Sequence, residues 1–480
     1  MAIVRVALPI PVPQVFDYVA ADATEADVGR CVKVPFGRGD RNGLIVALGE
    51  EGEVDPARLK PVHHIQRGVP ALPADWLALV AFVARYYHAP LGEVVALALP
   101  PGLRRADGVS DADEDPLLEI SAAGREALAA AKRASKALAL LQALATAPGP
   151  WRRSVVRAVD GGEAVGDLVR RGWLVTAADE DSGGAHSTGA LPALTPEQAA
   201  AVEAILAGGS GFRPWLLHGV TGSGKTEVYL RLAAHMLAQG RQVLMLVPEI
   251  ALTPQLEQRV AQRFAAANVV SLHSALADGA RSRGFVQALT GRADIVLGTR
   301  LAVFAPLPRL GLILVDEEHD ASYKQQEGVR YSARDVAVWR ARQRDVPVVL
   351  GSATPSLETW YHAKSERYAL QTLSQRAVAA TLPAVRCIDT RRIKLDEGLS
   401  PALQAAIAQR LERGEQSLVF LNRRGYAPVL SCPSCGWVSR CPHCTANLVV
   451  HLADRRLRCH HCGCDGPIPH ACPSCGNQDI

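Results

Sequence analysis

The chain has 480 residues, and at about 100–200 residues per domain this length predicts roughly three to four domains. Hydrophobic residues make up 48% of the sequence and charged residues 21%, a balance that excludes a disordered or fibrous protein. The net charge is only +4, so we expect any nucleic-acid site to be a local patch.

The N-terminus and the hydropathy pattern predict a cytoplasmic protein. No uninterrupted run of about 18 apolar residues is present, which excludes a membrane-spanning helix and predicts no membrane partner. The first segment, MAIVRVALPIPVP, has prolines at positions 9, 11 and 13, and Arg5 is the only charged residue before them. This pattern favours a first strand over a signal peptide.

Residues 1–105 alternate short β-type runs, such as CVKVPFGRG, with turns, and then give the helical pattern ADWLALVAFVARYYHAP, which predicts a small mixed domain. Residues 106–180 begin with an acidic break and continue with several short helices. They close with GWLV, which we interpret as a short hairpin. This order favours a winged-helix-like module, and a helical spacer is the alternative. Residues 181–194 form a polar linker.

Residues 195–390 repeat the order strand, loop, helix, which predicts a nucleotide-binding α/β domain. The expected strands are apolar on both faces, as in a parallel sheet that helices cover on both sides. These strands are Trp215–His218, Gln242–Val247, Ala293–Leu297, Leu310–Val315 and Val346–Leu350.

The segment GVTGSGKT lies between the first of these strands and an amphipathic helix, the position that a phosphate-binding loop requires. Its glycines allow a tight turn whose N–H groups face phosphate oxygens, Lys225 places a charge on the β- and γ-phosphates, and Thr226 can bind Mg²⁺. The candidate ATP-binding residues are Gly219, Val220, Thr221, Gly222, Ser223, Gly224, Lys225 and Thr226.

The strand LGLILV ends in the acidic run DEEHD. We expect Asp316 to bind Mg²⁺ and Glu317 to orient or deprotonate the attacking water, because phosphoryl transfer depends on positioning and charge neutralisation. Three more loops leave strand ends in the same way, at 247–255, 298–304 and 351–356. Since ligands of open α/β sheets bind at the carboxyl ends of strands, these motifs predict one site.

Nine of the eleven cysteines lie between Cys432 and Cys475, in four CxxC pairs with Cys464 left over. In a chain without a secretion signal this pattern indicates metal rather than disulfides, and eight thiolates suffice for two tetrahedral zinc sites. The alternative is a set of redox-active dithiols. Four pairs can be combined into two sites in three ways.

The motif order GKT, PEIALTPQ, GTR, DEEH, SAT is that of superfamily 2 helicases. The wider strings GVTGSGKTEVYL, DEEHDASYKQQEGVRYSARDVA and FLNRRGYAP resemble the PriA family of bacterial replication restart, and the resemblance extends along all 480 residues. It implies a multidomain α/β protein that has a P-loop, RecA-like helicase lobe, an N-terminal DNA-binding domain, a winged-helix module and a two-zinc cysteine-rich insertion.

The resemblance also implies an activity and its partners. The protein is expected to be an ATP- and Mg²⁺-dependent 3′-to-5′ DNA helicase that binds forked and single-stranded DNA and initiates primosome assembly at stalled or repaired forks. Its implied protein partners are single-stranded-DNA-binding protein, primosome components and the loader of the replicative helicase, and its implied location is the bacterial nucleoid.

Further residue roles follow from the same resemblance. It implies that His319, Ser352 and Thr354 couple the nucleotide to DNA, and that an aromatic-rich loop contacts single-stranded DNA through Tyr323, Tyr331 and Arg334. The N-terminal domain is implied to bind the 3′ end of a DNA strand in a pocket lined by Phe16, Asp17, Gly37 and Lys60.

The resemblance assigns residues 391–431 to the start of a second helicase lobe and residues 432–480 to a zinc-binding insertion. It implies nested zinc sites, which are Cys432, Cys435, Cys472 and Cys475 in the first, and Cys441, Cys444, Cys459 and Cys462 in the second.

No Q-x-x-G-R-x-G-R string is present, although this motif belongs to the second lobe of such helicases. Two interpretations follow: the sequence is a fragment of a complete helicase, or the protein is a nucleotide- and DNA-binding assembly factor that does not unwind DNA. Intact Lys225, Asp316 and Glu317 favour the first. For the 480-residue chain itself we expect weak or no DNA-stimulated ATP hydrolysis and no unwinding.

Overall fold

A computed structural model describes residues 2–49, 59–104, 117–129, 136–145, 151–152, 156, 163–176, 192–249, 254–377, 384–390, 393, 395–396, 398–420, 429–452 and 454–480. The chain forms two compact units, Met1–Ala380 and Thr381–Ile480. Several sequence-based assignments lie outside the described residues: the acidic break at 107–116, most of the linker, residues 250–253 of the second motif, and residues 421–428.

The N-terminal residues form a curled antiparallel sheet in the order β2-β1-β4-β3-β5. Its strands are β1 Ile3–Ala7, β2 Phe16–Val19, β3 Cys31–Phe36, β4 Gly39–Gly49 and β5 His64–Ile65. The segment just before β5 bridges the two sides of this sheet. The Val19 N–H in β2 donates to the Lys60 carbonyl at 3.0 Å, and the Val62 N–H donates to the Val19 carbonyl at 2.9 Å. On the other side, the His63 N–H donates to the Lys33 carbonyl in β3 at 2.9 Å. The sheet thus closes towards a small barrel with its own apolar core.

Two helices, α1 (Ala74–Tyr86) and α2 (Leu91–Ala98), follow the barrel. They share one hydrophobic core with the α/β sheet farther along the chain. The buried Trp76 indole donates a 2.7 Å hydrogen bond to the Phe304 carbonyl, and Arg344 pairs with Asp75 at 2.8 Å. The N-terminal region is therefore packed as part of the first compact unit.

The next module has its own small core. Its described elements are β6 Leu117–Ile120, α3 Ala122–Ala129, α4 Lys136–Ala145, β7 Trp151–Arg152, α5 Glu163–Arg170 and β8 Leu174–Thr176. The sheet order is β7-β6-β8, with both pairings antiparallel. The predicted hairpin within GWLV is wrong, since β8 pairs with β6. The winged-helix assignment stays a prediction.

A seven-stranded parallel sheet in the order β11-β12-β10-β13-β14-β9-β15 forms the centre of the α/β region. Its strands are β9 Pro214–Gly219, β10 Gln242–Leu246, β11 Val269–Leu272, β12 Ile295–Gly298, β13 Leu310–Val315, β14 Val348–Ser352 and β15 Ala369–Leu373. The five predicted strands are confirmed, with ends shifted by at most two residues. The edge strands β11 and β15 were not predicted.

Helices cover both faces of this sheet, as the all-apolar strands predicted. Along β10, Leu244 and Leu246 belong to one core and Val243 and Met245 to the other. The helices are α6 Pro196–Ala207, α7 Lys225–Ala238, α8 Pro254–Arg263, α9 Asp278–Leu289, α10 Ala333–Arg344 and α11 Leu357–Lys364.

The second unit contains α12 (Pro401–Glu412), which buries none of its side chains, and a small sheet among the cysteines. The strands of that sheet are β16 Val449–His451, β17 Arg456–Arg458 and β18 Asp465–Pro467. Among the described residues of the whole chain, no helix is both long enough and apolar enough to cross a bilayer.

Candidate nucleotide site and metal centres

The GVTGSGKT loop connects β9 to α7. Gly222 and Gly224 both adopt φ near +81°, a region that side chains disfavour, and Gly224 directly precedes α7. The buried Lys225 ammonium donates to the Gly219 carbonyl at 3.1 Å and lies 3.4 Å from Glu317 Oε1. A helix N-terminus beside a lysine ammonium fits phosphate groups.

The acidic pair follows β13 and contacts the phosphate-loop helix. Tyr229 of α7 donates a 3.1 Å hydrogen bond to Asp316 Oδ1, while Lys225 pairs with Glu317. The Tyr229 hydroxyl lies against Gly351, where any β-carbon would come within 1.5 Å of it. Two motifs about ninety residues apart in sequence are thereby brought to one edge of the sheet.

The electrostatics of this edge fit a divalent cation. Burial, and next the charge of Glu317, raise the pKa of Asp316 above its usual value. Keeping Asp316 ionised therefore costs free energy, and a cation bound there removes that cost. Thr226, in the first turn of α7, and Asp316 are the residues that would hold Mg²⁺.

The three residues expected to couple nucleotide and DNA lie together. His319 Nδ1 is 2.7 Å from Ser352 Oγ, and His319 Nε2 is 3.4 Å from Thr354 Oγ1. The Thr354 N–H donates to Ser352 Oγ at 3.0 Å. His319 also lies 3.6 Å from Glu317 Oε2, so this cluster contacts the acidic pair.

The sequence reasoning missed Glu318, which is 1% exposed and connects three elements. Its carboxylate accepts the Ser356 N–H at 2.7 Å, the Ser356 hydroxyl at 3.1 Å and the Thr359 hydroxyl at 2.9 Å, all at the start of α11. It also pairs with Arg334 of α10 at 3.2 Å. Its place in the DEEH run was visible in the sequence, but its partners were not.

Gln198 was also missed. Its side chain accepts the Thr195 N–H at 2.9 Å, completing a capping box at the start of α6, and its Nε2 donates to the Ser223 carbonyl at 2.8 Å. The T-P-E-Q pattern of the sequence predicts such a cap. The contact with the phosphate loop depends on the fold.

The placement of the two loop tyrosines corrects an expectation. Tyr323 is 2% exposed, and its hydroxyl donates to the Asp316 carbonyl at 2.6 Å. Tyr331 is completely buried and packs against Phe304, with 5.1 Å between ring centroids. Neither ring can stack on a base in this structure, because both faces are covered by protein. Arg334 already binds Glu318 and Asp335, so its charge is neutralised within the protein.

The four N-terminal candidates are only partly brought together. Phe16 packs edge-to-face against Phe36 at 5.3 Å, beside the exposed Gly37. Asp17 is the next residue of β2, so its side chain points to the other face of the strand, where it pairs with Arg5 at 3.6 Å. Lys60 is exposed, and its carbonyl accepts the Val19 N–H.

Eight cysteines form two compact groups with the nested pairing that the resemblance implied. One group is Cys432, Cys435, Cys472 and Cys475, and the other is Cys441, Cys444, Cys459 and Cys462. In each group, two pairs of sulfur atoms lie 3.4–3.7 Å apart. A tetrahedral site with Zn–S bonds of about 2.3 Å has sulfur–sulfur edges of about 3.8 Å, so both groups fit zinc. Cys464 belongs to neither group.

Three protein-family models match the chain, in the order in which the regions occur. They are the 3′DNA-binding domain of PriA at residues 5–100, the DEAD/DEAH box helicase at 195–361, and the PriA DNA helicase Cys-rich region domain at 441–467. Among solved structures, RecG bound to a three-way DNA junction aligns with 46% of this chain and 28% of that chain, at 21% identity. The TM-score of that alignment is 0.33.

Curated relatives named replication restart protein PriA align with most of the chain. The protein of Haemophilus influenzae is 38% identical across 100% of this chain, and that of Chlamydia trachomatis is 35% identical across 93%. The chain spans 66% and 62% of the lengths of these two relatives. These matches, together with two PriA-specific domain models, place the chain in the PriA family.

Proposed function

We propose that this protein is an ATP-dependent 3′-to-5′ DNA helicase that recognises stalled or repaired replication forks and initiates primosome assembly. The chain has a DEAD/DEAH helicase domain and a PriA 3′ DNA-binding domain. The observation that carries the proposal is the connection of the phosphate loop to the acidic pair through Lys225–Glu317 and Tyr229–Asp316.

The proposed chemistry assigns one task to each side chain. Lys225 and the N–H groups of the loop bind the phosphates, and Glu317 orients or deprotonates the attacking water. Bound Mg²⁺, held by Thr226 and Asp316, would neutralise charge on the phosphates. His319, Ser352 and Thr354 transmit the state of the nucleotide towards DNA. The contact of His319 with Glu317, and those of Ser352 and Thr354 with His319, support this role.

For DNA we propose that the N-terminal barrel binds a strand's 3′ end near Phe16, Asp17, Gly37 and Lys60. The PriA-specific domain model over residues 5–100 supports this assignment. We further propose that each chain binds two zinc ions and that the protein is located at the bacterial nucleoid. Its proposed protein partners are single-stranded-DNA-binding protein, primosome components and a helicase loader. These rest on membership in the family.

Binding of forked DNA tests the proposal. The test compares two forks that differ only at the 3′ end of the nascent strand, which lies at the junction and carries either a hydroxyl or a phosphate. We expect the chain to bind the fork with the 3′-hydroxyl more tightly. Fluorescence anisotropy at one fixed salt concentration measures both affinities. Phe16→Ala should remove this preference, because base stacking on an aromatic ring contributes about 1–3 kcal/mol. Val15→Ala, at the exposed neighbouring position, is the matched control. Equal affinity of the wild type for both ends contradicts the 3′-end assignment.

A further inference from the structure

The five residues 373–377, which we call the strap, lie along the phosphate loop. The strap begins at the end of β15, where Leu373 is in register with Gly219 of β9. The Val220 N–H donates to the Leu373 carbonyl at 3.2 Å, and the Ala377 N–H donates to the Gly222 carbonyl at 2.9 Å. The strap is therefore hydrogen-bonded to the loop at both of its ends.

One carboxylate holds the middle of the strap. Glu197 Oε2 accepts the N–H groups of Ser374 and Gln375 at 2.8 and 3.2 Å, and Oε1 accepts the Ser374 hydroxyl. The Ser374 hydroxyl and then the Gln375 N–H lower the pKa of Glu197, so the bonds favour its ionised form. Glu197 lies in the first turn of α6, directly before Gln198, which binds the Ser223 carbonyl.

These contacts fix the direction of peptide groups in the loop. The C=O of one residue and the N–H of the next point in opposite directions in a trans peptide. Holding the Ser223 carbonyl on Gln198 thus turns the Gly224 N–H, at the start of α7, to the other side, where phosphate binds a helix N-terminus. The first turn of α6 therefore supports the loop directly through Gln198 and indirectly through Glu197 and the strap.

We propose that Glu197 is a positioning residue for nucleotide binding, which acts by clamping the strap against the phosphate loop. The proposal deepens the ATP-binding function and rests on it. Nucleotide that orders the loop then orders the strap as well.

The test compares Glu197→Gln with Glu203→Gln in the full chain. Gln at 197 keeps one acceptor oxygen, but it removes the negative charge and the second acceptor that Glu197 offers to the strap. Glu203 is exposed on the same helix. We expect Glu197→Gln to raise the Kd of a fluorescent ADP analogue with Mg²⁺ about tenfold, since a loss of about 1.4 kcal/mol is a factor of ten. Glu203→Gln should leave that Kd unchanged, and both variants should keep the wild-type melting temperature.

A second measurement separates positioning from a merely structural role. Trypsin cleaves after Arg376, which is exposed in the strap. ADP with Mg²⁺ should slow this cleavage in the wild type and in Glu203→Gln, and should lose that effect in Glu197→Gln even at saturating nucleotide. If the wild type binds nucleotide but Glu197→Gln matches Glu203→Gln in both measurements, the positioning role is overturned while the ATP-binding function stands. If the wild type binds no nucleotide, the ATP-binding function itself fails.

Discussion

Removing zinc with a chelator at neutral pH should unfold the cysteine-rich part of the second unit and leave the first unit folded. Within residues 429–452 and 454–480, Val450 and Leu457 are the only apolar side chains besides cysteines that are buried. So small a core cannot offset the loss of chain entropy. Structural zinc supplies about 10–16 kcal/mol of apparent binding free energy in comparable small domains. The three short strands β16–β18 should therefore lose protection against proteolysis.

Serine variants make this prediction specific. We expect about two zinc ions per wild-type chain, and the loss of about one with Cys441→Ser, because thiolate ligands are required to complete each tetrahedral site. Cys464→Ser is the matched control: it removes a nearby thiol that belongs to neither group and should keep both ions. Metal analysis of purified protein measures the number directly. A cysteine-rich part that stays folded with well under two metal ions per chain contradicts the assignment.

Glu318→Ala should destabilise the first unit by about 3–5 kcal/mol, since it removes one partner of a buried ion pair. Among the described residues, the Arg334 guanidinium would keep Asp335 as its one charged partner. The N–H and hydroxyl of Ser356 and the Thr359 hydroxyl would lose an acceptor. Such a loss is a large fraction of the total stability of a typical domain. Urea unfolding of the first unit measures the effect.

The neighbouring Glu317 provides the control for stability. Its side chain is 34% exposed, so Glu317→Ala should change the free energy of unfolding by less than about 1 kcal/mol. We further expect Glu318→Gln to fall between the wild type and Glu318→Ala, because Gln retains one acceptor oxygen. If Glu318→Ala unfolds at the same urea concentration as Glu317→Ala, the network around Glu318 does not stabilise the fold.

Local patterns predicted the parts of the site that depend on short stretches of chain. The phosphate loop needs glycines at set positions between a strand and a helix, so Lys225 and Thr226 could be assigned from spacing alone. The CxxC pairs likewise identified the candidate metal-binding residues, because the spacing within each pair is local in the sequence. How the pairs combine was implied by the family resemblance, because spacing alone permits three arrangements.

Contacts between distant segments could not be predicted in this way. Tyr331 has the same sequence signature whether its ring contacts Phe304 inside the lobe or faces solvent, and the structure buries it. The structural role of Glu318 could not be predicted from the sequence, because its partners lie in α10 and α11. The strands β11 and β15 were missed at the sheet edges, where their residues are less completely apolar than those of the central strands.

Nucleotide binding by the chain tests the central claim most directly. Titration with a fluorescent ADP analogue should give Mg²⁺-dependent binding, and Lys225→Ala should weaken it by about 10–100-fold, because a hydrogen bond to a charged group contributes about 1.5–3 kcal/mol. Lys364→Ala, which removes a lysine that lies over Trp360 outside the loop, is the matched control and should bind as the wild type does. The predicted result is that Lys225→Ala loses nucleotide binding and Lys364→Ala retains it. Equal binding by wild type and Lys225→Ala would contradict the assignment of the phosphate loop.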